Sequence, residues 1–269
     1  MLKKWENKKI LILGFGREGQ DTLNFLRKLF PQKITGIADQ KKDIPLSPFE
    51  KKISLHLGES YLKALENYDV IIKSPGIPFK ILPKMFLKKI TSQTEIFLEN
   101  CPGKIIGVTG TKGKSTTSSL IYKVLKSGGL KVFLIGNIGK PVLSYLLKAK
   151  PDDIFVYELS SHQLCNIKKS PHIAIFLNIY PEHLDYYRNF QDYINAKANI
   201  TLYQTSDDYF IYNEENKIIK KIAEKTKAKK IPITKESAIK FLSIKNNCRF
   251  NFINLGAAIE VAKIFNIPK

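Results

Sequence analysis

The sequence predicts an α/β protein of two modules, each a mainly parallel sheet covered by helices on both faces. Three observations carry that prediction. Short apolar runs alternate with amphipathic helical stretches along nearly the whole chain, a Gly-x-Gly-x-x-Gly turn follows the first run, and a second glycine loop ending in Gly-Lys-Ser follows a run near residue 106. Alternation of this kind builds βαβ units, and strands that are apolar throughout are those buried on both faces.

The first module opens at residues 8–13, Lys-Lys-Ile-Leu-Ile-Leu, a buried parallel strand. Gly14-Phe-Gly16-Arg17-Glu18-Gly19 comes next, followed by an amphipathic helix that runs to about Leu29. A second strand at Ile34–Ala38 ends in Asp39, so an acid stands about twenty residues past the turn, the dinucleotide-binding pattern of a Rossmann-like domain. Asp69-Val-Ile-Ile-Lys is a further strand, running into the loop Ser74-Pro-Gly76-Ile-Pro. Residues 90–99 lead onward, and the boundary is placed near residue 93, where one βα series stops and another begins. The expected domains are 1–93 and 94–269.

The second module starts with the β-branched pair Ile105-Ile106 and the loop Gly107-Val-Thr-Gly110-Thr111-Lys112-Gly113-Lys114-Ser115-Thr116-Thr. A helix over about 115–127 follows, with Leu120, Ile121, Val124 and Leu125 as its apolar positions. Strand, glycine loop and helix in this order cradle nucleotide phosphates. Backbone N–H groups and the helix N-terminus face the anion, Lys114 adds a point charge, and the Ser115 hydroxyl can hold Mg²⁺. The spacing departs from the usual P-loop pattern, which wants glycine at the position of Val108; Gly110 supplies it closer in. Further strands are expected at 131–135, 154–158, 173–179 and 209–212, with helices near 190–204, 214–227 and 252–265. The module reads as a P-loop-type ATPase domain.

Composition bounds the partners. The chain has 269 residues, 43% hydrophobic and 25% charged, enough for two domains with proper cores. Its net charge of +20 invites a nucleic-acid reading. Yet the lysines are scattered and do not interleave with aromatics as in a base-stacking platform, so no nucleic-acid partner is expected. Cys101, Cys165 and Cys248 form no CxxC pair, which suits a reducing compartment and argues against zinc. The N-terminal residues lack an apolar core of signal-peptide length, and the apolar runs are too short to cross a bilayer. A cytoplasmic protein without a membrane partner is expected.

Four segments sit where strands end, the place where α/β ligand sites form. These are Gly136-Asn137-Ile-Gly139, Glu158-Leu-Ser-Ser-His-Gln-Leu164, Asn178-Ile-Tyr-Pro-Glu-His183-Leu-Asp185 and the helix carrying Asn195-Ala-Lys197. Glu158 and His183 can share a hard cation that bridges substrate and γ-phosphate oxygens. Taken one at a time, Glu158 serves equally well as a helix cap, Asp185 as another, His183 as a polar loop residue and Lys197 as a solvated helix lysine. Beside a phosphate loop, the functional reading wins for Glu158 and His183.

In this order and at these separations, GTKGKST, GNIG, ELSSHQL, NIYPEHLD and the Asn195-Ala-Lys197 helix resemble the Mur ligases of peptidoglycan synthesis, and most of all their D-glutamate-adding members. ELSS-x-QL is the most telling piece, because the diaminopimelate- or lysine-adding relatives usually read E-x-SSHAL there. His162 matches those relatives, whereas Gln163-Leu164 matches the D-glutamate-adding branch. SPGIP at 74–78 and SQTEIFL at 92–98 extend the resemblance across nearly the whole chain.

The resemblance implies an ATP-dependent amide ligase, monomeric, working through an acyl phosphate on UDP-N-acetylmuramoyl-L-alanine and D-glutamate with two Mg²⁺. Residue by residue, it implies that Gly110, Thr111, Lys112, Gly113, Lys114, Ser115 and Thr116 hold the ATP phosphates, with Asn251 and Asn254 at the adenine end. Ser115, Glu158, His183 and a carbamylated Lys197 would serve the metals, and Lys114, His183 and Lys197 the chemistry. The UDP-linked substrate, in place of a nicotinamide cofactor, would be met by Gly14, Arg17, Glu18, Asp39, Ser74, Gly76, Asn137 and His183.

Three departures stand out. Phe250 occupies a position where the family usually has histidine, and Glu18 would repel a diphosphate unless turned away. The family also has a third, C-terminal domain, before which this chain stops at Lys269. The expectation is a fragment, or a natural short form that needs a partner, binding ATP and ligating poorly alone. Two readings from other classes stay open: a non-catalytic nucleotide- and UDP-sugar-binding subunit, and an NAD-dependent oxidoreductase built on the first glycine turn and Asp39.

Overall fold

Every residue of Ile10–Leu13, the first strand β1, is buried, as a strand covered on both faces requires. The computed structural model of the chain describes residues 2–47, 51–138, 142–242 and 251–268. The chain divides into two compact units, Met1–Asn100 with Pro141–Lys148, and Cys101–Lys140 with Ala149–Lys269.

In the first unit β1 is followed by helix α1 (Arg17–Leu29), β2 (Thr35–Asp39), β3 (Ile53–Leu57), β4 (Val70–Lys73), β5 (Ile90–Thr91) and helix α2 (Gln93–Asn100). All pairings are parallel and the strand order is β3-β2-β1-β4-β5. The chain builds outward through β2 and β3, then returns to the other side of β1. The order therefore reverses between β1 and β4, and the loops after those two strands flank the crevice where doubly wound sheets bind ligands.

The second unit contains β6 (Lys104–Thr109), α3 (Lys114–Ser127) and β7 (Val132–Gly136). A short helix, α4 (Leu143–Leu146), belongs to the first unit. Then follow β8 (Ile154–Glu158), α5 (Ser161–Leu164), β9 (Ile173–Phe176), α6 (Phe190–Leu202), β10 (Tyr209–Asn213), α7 (Lys217–Lys225), β11 (Lys229–Ile233), α8 (Lys235–Leu242) and α9 (Phe252–Ile264). This sheet is also all parallel, in the order β11-β10-β9-β6-β8-β7. Its core joins Ile106, Val108, Val156 and Ile175 from the central strands to Ile121 and Leu125 of α3 and to Ala257, Ala258 and Val261 of α9. Each large aliphatic side chain so buried contributes about 1.5–3 kcal/mol over its exposed state. That rigidity fixes the strand tips on which the candidate site stands.

Some elements differ from the expectation. The strand expected over 173–179 pairs only through Phe176, because its neighbour β6 leaves the sheet after Thr109. Leu177 N–H still reaches Thr109 O (3.1 Å), and the chain then wraps the glycine loop. The helix expected over 214–227 begins at Lys217, where Asn216 caps it by accepting from the N–H groups of Ile218 and Ile219. Strands β3, β5 and β11 carry no expectation from the sequence. All three lie on sheet edges, where one side meets solvent and the apolar run is broken. In β11 the exposed Lys229, Lys230 and Pro232 suit an edge, since proline cannot donate to a second neighbour.

Candidate active site

Two glycine turns, one in each unit, follow central strands. In the first unit Gly14 has φ +91°, a left-handed conformation that glycine adopts at no steric cost. A Cβ on Gly19 would lie 2.3 Å from the Gly14 carbonyl oxygen, so α1 packs on the turn only with glycine there, whereas Gly16 has nothing within 4 Å and leaves the backbone open to a ligand. These are the tight-turn, close-packing and close-approach roles of a dinucleotide-type fingerprint. Asp39 organises the turn: Oδ2 accepts from Phe15 N–H (2.7 Å) and Oδ1 from Lys41 N–H (2.9 Å). The loop after β4 closes the other side, where Ser74 Oγ donates to Gly14 O (2.8 Å). Gly76 is exposed, as is Arg17, and Glu18 is half-buried in the first turn of α1. The backbone oxygen of Glu18 accepts from Thr22 Oγ1 and from Gln93 Nε2.

In the second unit the loop after β6 ends on Gly113, left-handed at φ +84° and the N-cap of α3. The following Ser115 and Thr116 are exposed, and Lys112 beside them is too. Asn178 fixes the loop's shape. Its backbone oxygen accepts from Thr111 N–H (3.0 Å), its side-chain oxygen from Lys112 N–H (2.8 Å), and its amide donates back to Lys112 O (2.9 Å). Lys114 Nζ donates to the carbonyls of Gly110 (2.9 Å) and Thr111 (3.0 Å). Burial lowers its pKa, against the pull of the nearby Glu158 and Glu182 carboxylates.

Glu158, fully buried at the tip of β8, accepts from Asn137 Nδ2 through Oε1 (2.9 Å). Its Oε2 is buried with no hydrogen-bond partner among the described residues. A buried carboxylate oxygen left unmatched is costly unless a cation or water completes it, so a hard cation fits here. Among the described residues no three His, Cys, Asp or Glu side chains converge as a metal cage. Magnesium suits such a place, because it is commonly held by one or two protein groups plus water and phosphate oxygens.

Lys197 is not a solvated lysine. It is 1% exposed, and its Nζ donates to Gly110 O (2.9 Å) and Thr109 Oγ1 (3.3 Å) from beneath the loop. Burial, reinforced by the charge of Lys114 and opposed by Glu182, pushes its pKa down to about 7. Tyr193, one turn earlier on α6, packs its ring 5.0 Å from that amine. The Tyr193 hydroxyl meets Thr111 Oγ1 (3.1 Å), which in turn accepts from Tyr180 N–H (3.0 Å). His183, left-handed at φ +57°, lies 6.1 Å from the Tyr193 ring and 4.7 Å from the His162 ring, centroid to centroid.

The structure thus gathers Gly110 to Thr116, Glu158, Asn137 and Lys197 around one loop, with His183 reached through Tyr193. Asn254 packs on the loop itself, where a Cβ on Gly113 would stand 2.7 Å from Asn254 Oδ1. Asn251 is the exposed N-cap of α9, accepting from Asn254 N–H (3.2 Å). Gly139, Cys248 and Phe250 lie outside the described residues. Part of ELSSHQL is scaffolding, since Ser160 and Gln163 form a reciprocal capping box at the start of α5. Sequence reasoning assigned nothing to Tyr193 or to the side chain of Asn178. The i,i+4 spacing of Tyr193 and Lys197 was the available signal for the first; Asn178 had only its place after a strand.

A family model described as Mur ligase middle domain matches residues 108–262, and one described as Mur ligase MurD-like, N-terminal domain matches residues 8–93. The UDP-N-acetylmuramoylalanine--D-glutamate ligase of Clostridium tetani is 37% identical over 243 residues, 87% of this chain and 53% of its own. The protein of that name from Acetivibrio thermocellus is 34% identical over 275 aligned positions, 98% of this chain and 58% of its own. The chain spans little more than half the length of these relatives. Among solved structures, the UDP-N-acetylmuramate:L-alanyl-gamma-D-glutamyl-meso-diaminopimelate ligase from Neisseria meningitides superposes with a TM-score of 0.60 at 16% identity, covering 95% of this chain and 93% of its own. The UDP-N-acetylmuramate-alanine ligase of Thermotoga maritima gives 0.51 at 16%, covering 97% and 66%. At such identities these two support the α/β architecture alone.

Proposed function

We propose, from the premise that this chain belongs to the Mur ligase family, that it serves ATP-dependent addition of D-glutamate to UDP-N-acetylmuramoyl-L-alanine. The observation that carries the proposal is the loop over Lys114 and Lys197 with the unmatched Glu158 oxygen beside it. The curated D-glutamate ligases that align with most of the chain supply the choice of amino acid. Residues 1–93 would hold the UDP moiety through Gly14, Arg17, Asp39, Ser74 and Gly76, and residues 94–269 would hold ATP.

In this reading the chain's own groups position and neutralise. Backbone N–H groups at the start of α3, with Lys114 and Thr116, hold the phosphates. The substrate carboxylate attacks the γ-phosphorus, its bond to the bridging oxygen breaks, and Lys114 offsets the charge that develops. The amine of D-glutamate then adds to the acyl phosphate, loses a proton and expels inorganic phosphate. Magnesium, when bound, neutralises phosphate oxygens that would repel the incoming carboxylate. Ser115 and Glu158 would hold one ion, and His183 with a carbamylated Lys197 a second. A lysine amine with its pKa lowered to about 7 is uncharged in a substantial fraction of molecules near neutral pH, so its lone pair can add to carbon dioxide and lose a proton to leave a carboxylate.

Calorimetry on the folded chain tests the reading. Mg·ATP and UDP-N-acetylmuramoyl-L-alanine should each bind, and NADH should not. Binding of NADH with no affinity for either nucleotide ligand would transfer the first turn to an oxidoreductase.

A further inference from the structure

Apolar side chains surface together at one place in the first unit. Between β4 and β5 the chain passes through two short 3₁₀ segments, Phe79–Ile81 and Lys84–Lys89. Leu82, Phe86 and Ile90 turn inward and are buried in a cluster with Leu11, Leu13 and Ile71. Outside, Ile81 is 43%, Met85 75% and Leu87 37% exposed. Nowhere else among the described residues do three large apolar side chains stand exposed within seven positions.

Charge is arranged to match. From Val70 to Thr94 there are five lysines and neither aspartate nor glutamate. A 3₁₀ helix places residues i and i+3 in line. Along Lys84–Lys89 this gives two outward ridges, Lys84 with Leu87 and Met85 with Lys88, each joining one apolar side chain to one ammonium. The inward ridge is Phe86 with Lys89, whose Nζ lies 5.5 Å from the ring centroid and donates to Tyr68 O (2.9 Å). The inner face is therefore anchored in the core while Lys80, Lys84 and Lys88 remain exposed.

We propose that the Phe79–Lys89 segment is a docking surface for anionic phospholipid headgroups. Thioether and aliphatic tips enter the boundary between headgroups and acyl chains while the flanking lysines meet phosphates. No helix among the described residues is long and apolar enough to cross a membrane, and lying on one requires none. The sequence-based expectation of no membrane partner rests on spanning segments and does not reach this case. Exposed aliphatic groups offer no platform for stacking bases, so a lipid surface fits better than a nucleic acid. The proposal is independent of the ligase reading.

Co-sedimentation of the 269-residue chain with vesicles tests it. The chain should pellet with phosphatidylcholine vesicles containing phosphatidylglycerol and not with phosphatidylcholine alone, and salt should weaken the binding. Lys84→Glu with Lys88→Glu should reduce it about tenfold or more, Met85→Ser should reduce it measurably, and each variant should keep the wild-type circular dichroism. Lys217→Glu with Lys221→Glu on α7 removes the same charge elsewhere and should change little. The proposal is overturned if the chain ignores the anionic vesicles, or if the α7 pair weakens binding as much, which would leave only the overall charge. It is equally overturned if Met85→Ser has no effect while the Lys84/Lys88 pair loses double-stranded DNA as readily as vesicles.

Discussion

The two glycine turns share a backbone plan and differ in what lies beneath them. Under Gly14–Gly19 sits a carboxylate: Asp39 accepts the N–H groups of Phe15 and Lys41 and so holds the turn by hydrogen bonds. Under Gly110–Gly113 sit two lysine amines, Lys114 and the deeply buried Lys197, both donating to Gly110 O. The same strand–turn–helix geometry is thus charged in opposite senses. An acid beneath a turn suits a ligand that presents hydroxyls alongside phosphate, whereas lysine side chains suit a polyphosphate whose charge is redistributed during reaction. The lesson is that a glycine pattern gives the shape of a site, and the side chains packed behind it give the ligand.

The largest expected effect bears on the cationic turn. Lys114→Ala should lower ATP-dependent turnover about 10²–10³-fold, the loss typical of a charge-stabilising donor, with unchanged thermal unfolding. A near-wild-type rate would erase the distinction between the turns. Next, Glu158→Gln keeps the contact with Asn137 but discards the charge. The Mg²⁺ concentration needed for ATP binding should rise about 10–100-fold, with Mg-free nucleotide binding spared; equal losses with and without the ion would make Glu158 a scaffold residue only.

The first turn should answer to packing instead of charge. Gly19→Ala drives a methyl into the Gly14 carbonyl and should cost the first unit about 1–3 kcal/mol, read as an earlier denaturant midpoint, while Mg·ATP affinity persists. The smallest effect is the pH dependence of Lys197. Its pKa is about 7 in the fold and 10.5 in a free chain, so between those values the unfolded state holds the extra proton and stability rises with pH. Lys197→Met should remove that rise, lifting the melting temperature most near neutrality and by progressively less toward pH 10.5. A constant offset at every pH would mean that the lysine is not held with a depressed pKa.

How much the sequence discloses follows the same physics. Central strands such as Ile10–Leu13 and Ile154–Phe155 are buried on both faces and must be apolar at each position, so they stand out. Edge strands carry a mixed pattern, and Lys229-Lys230-Ile-Pro reads as a solvated loop until its neighbour is known. In the site, Gly110, Gly113, Lys114 and Ser115 are contiguous and legible together. Lys197 looks like any helix lysine, since only the fold shows that its amine lies under Gly110. Tyr193 and Asn178 act through contacts with residues far away in the chain, a separation that no local pattern encodes. Gln163 teaches the reverse: a residue that marks the family resemblance turns out to complete a helix cap.

One consequence of Asn178 can be read with a clock. Its carboxamide pairs with both the N–H and the C=O of Lys112, copying a ladder rung where no strand exists. Although the Lys112 side chain stands in water, its amide hydrogen should exchange with deuterium slowly, like one in a sheet interior. A loop stiffened in advance in this way gives up little freedom when an anion settles into it.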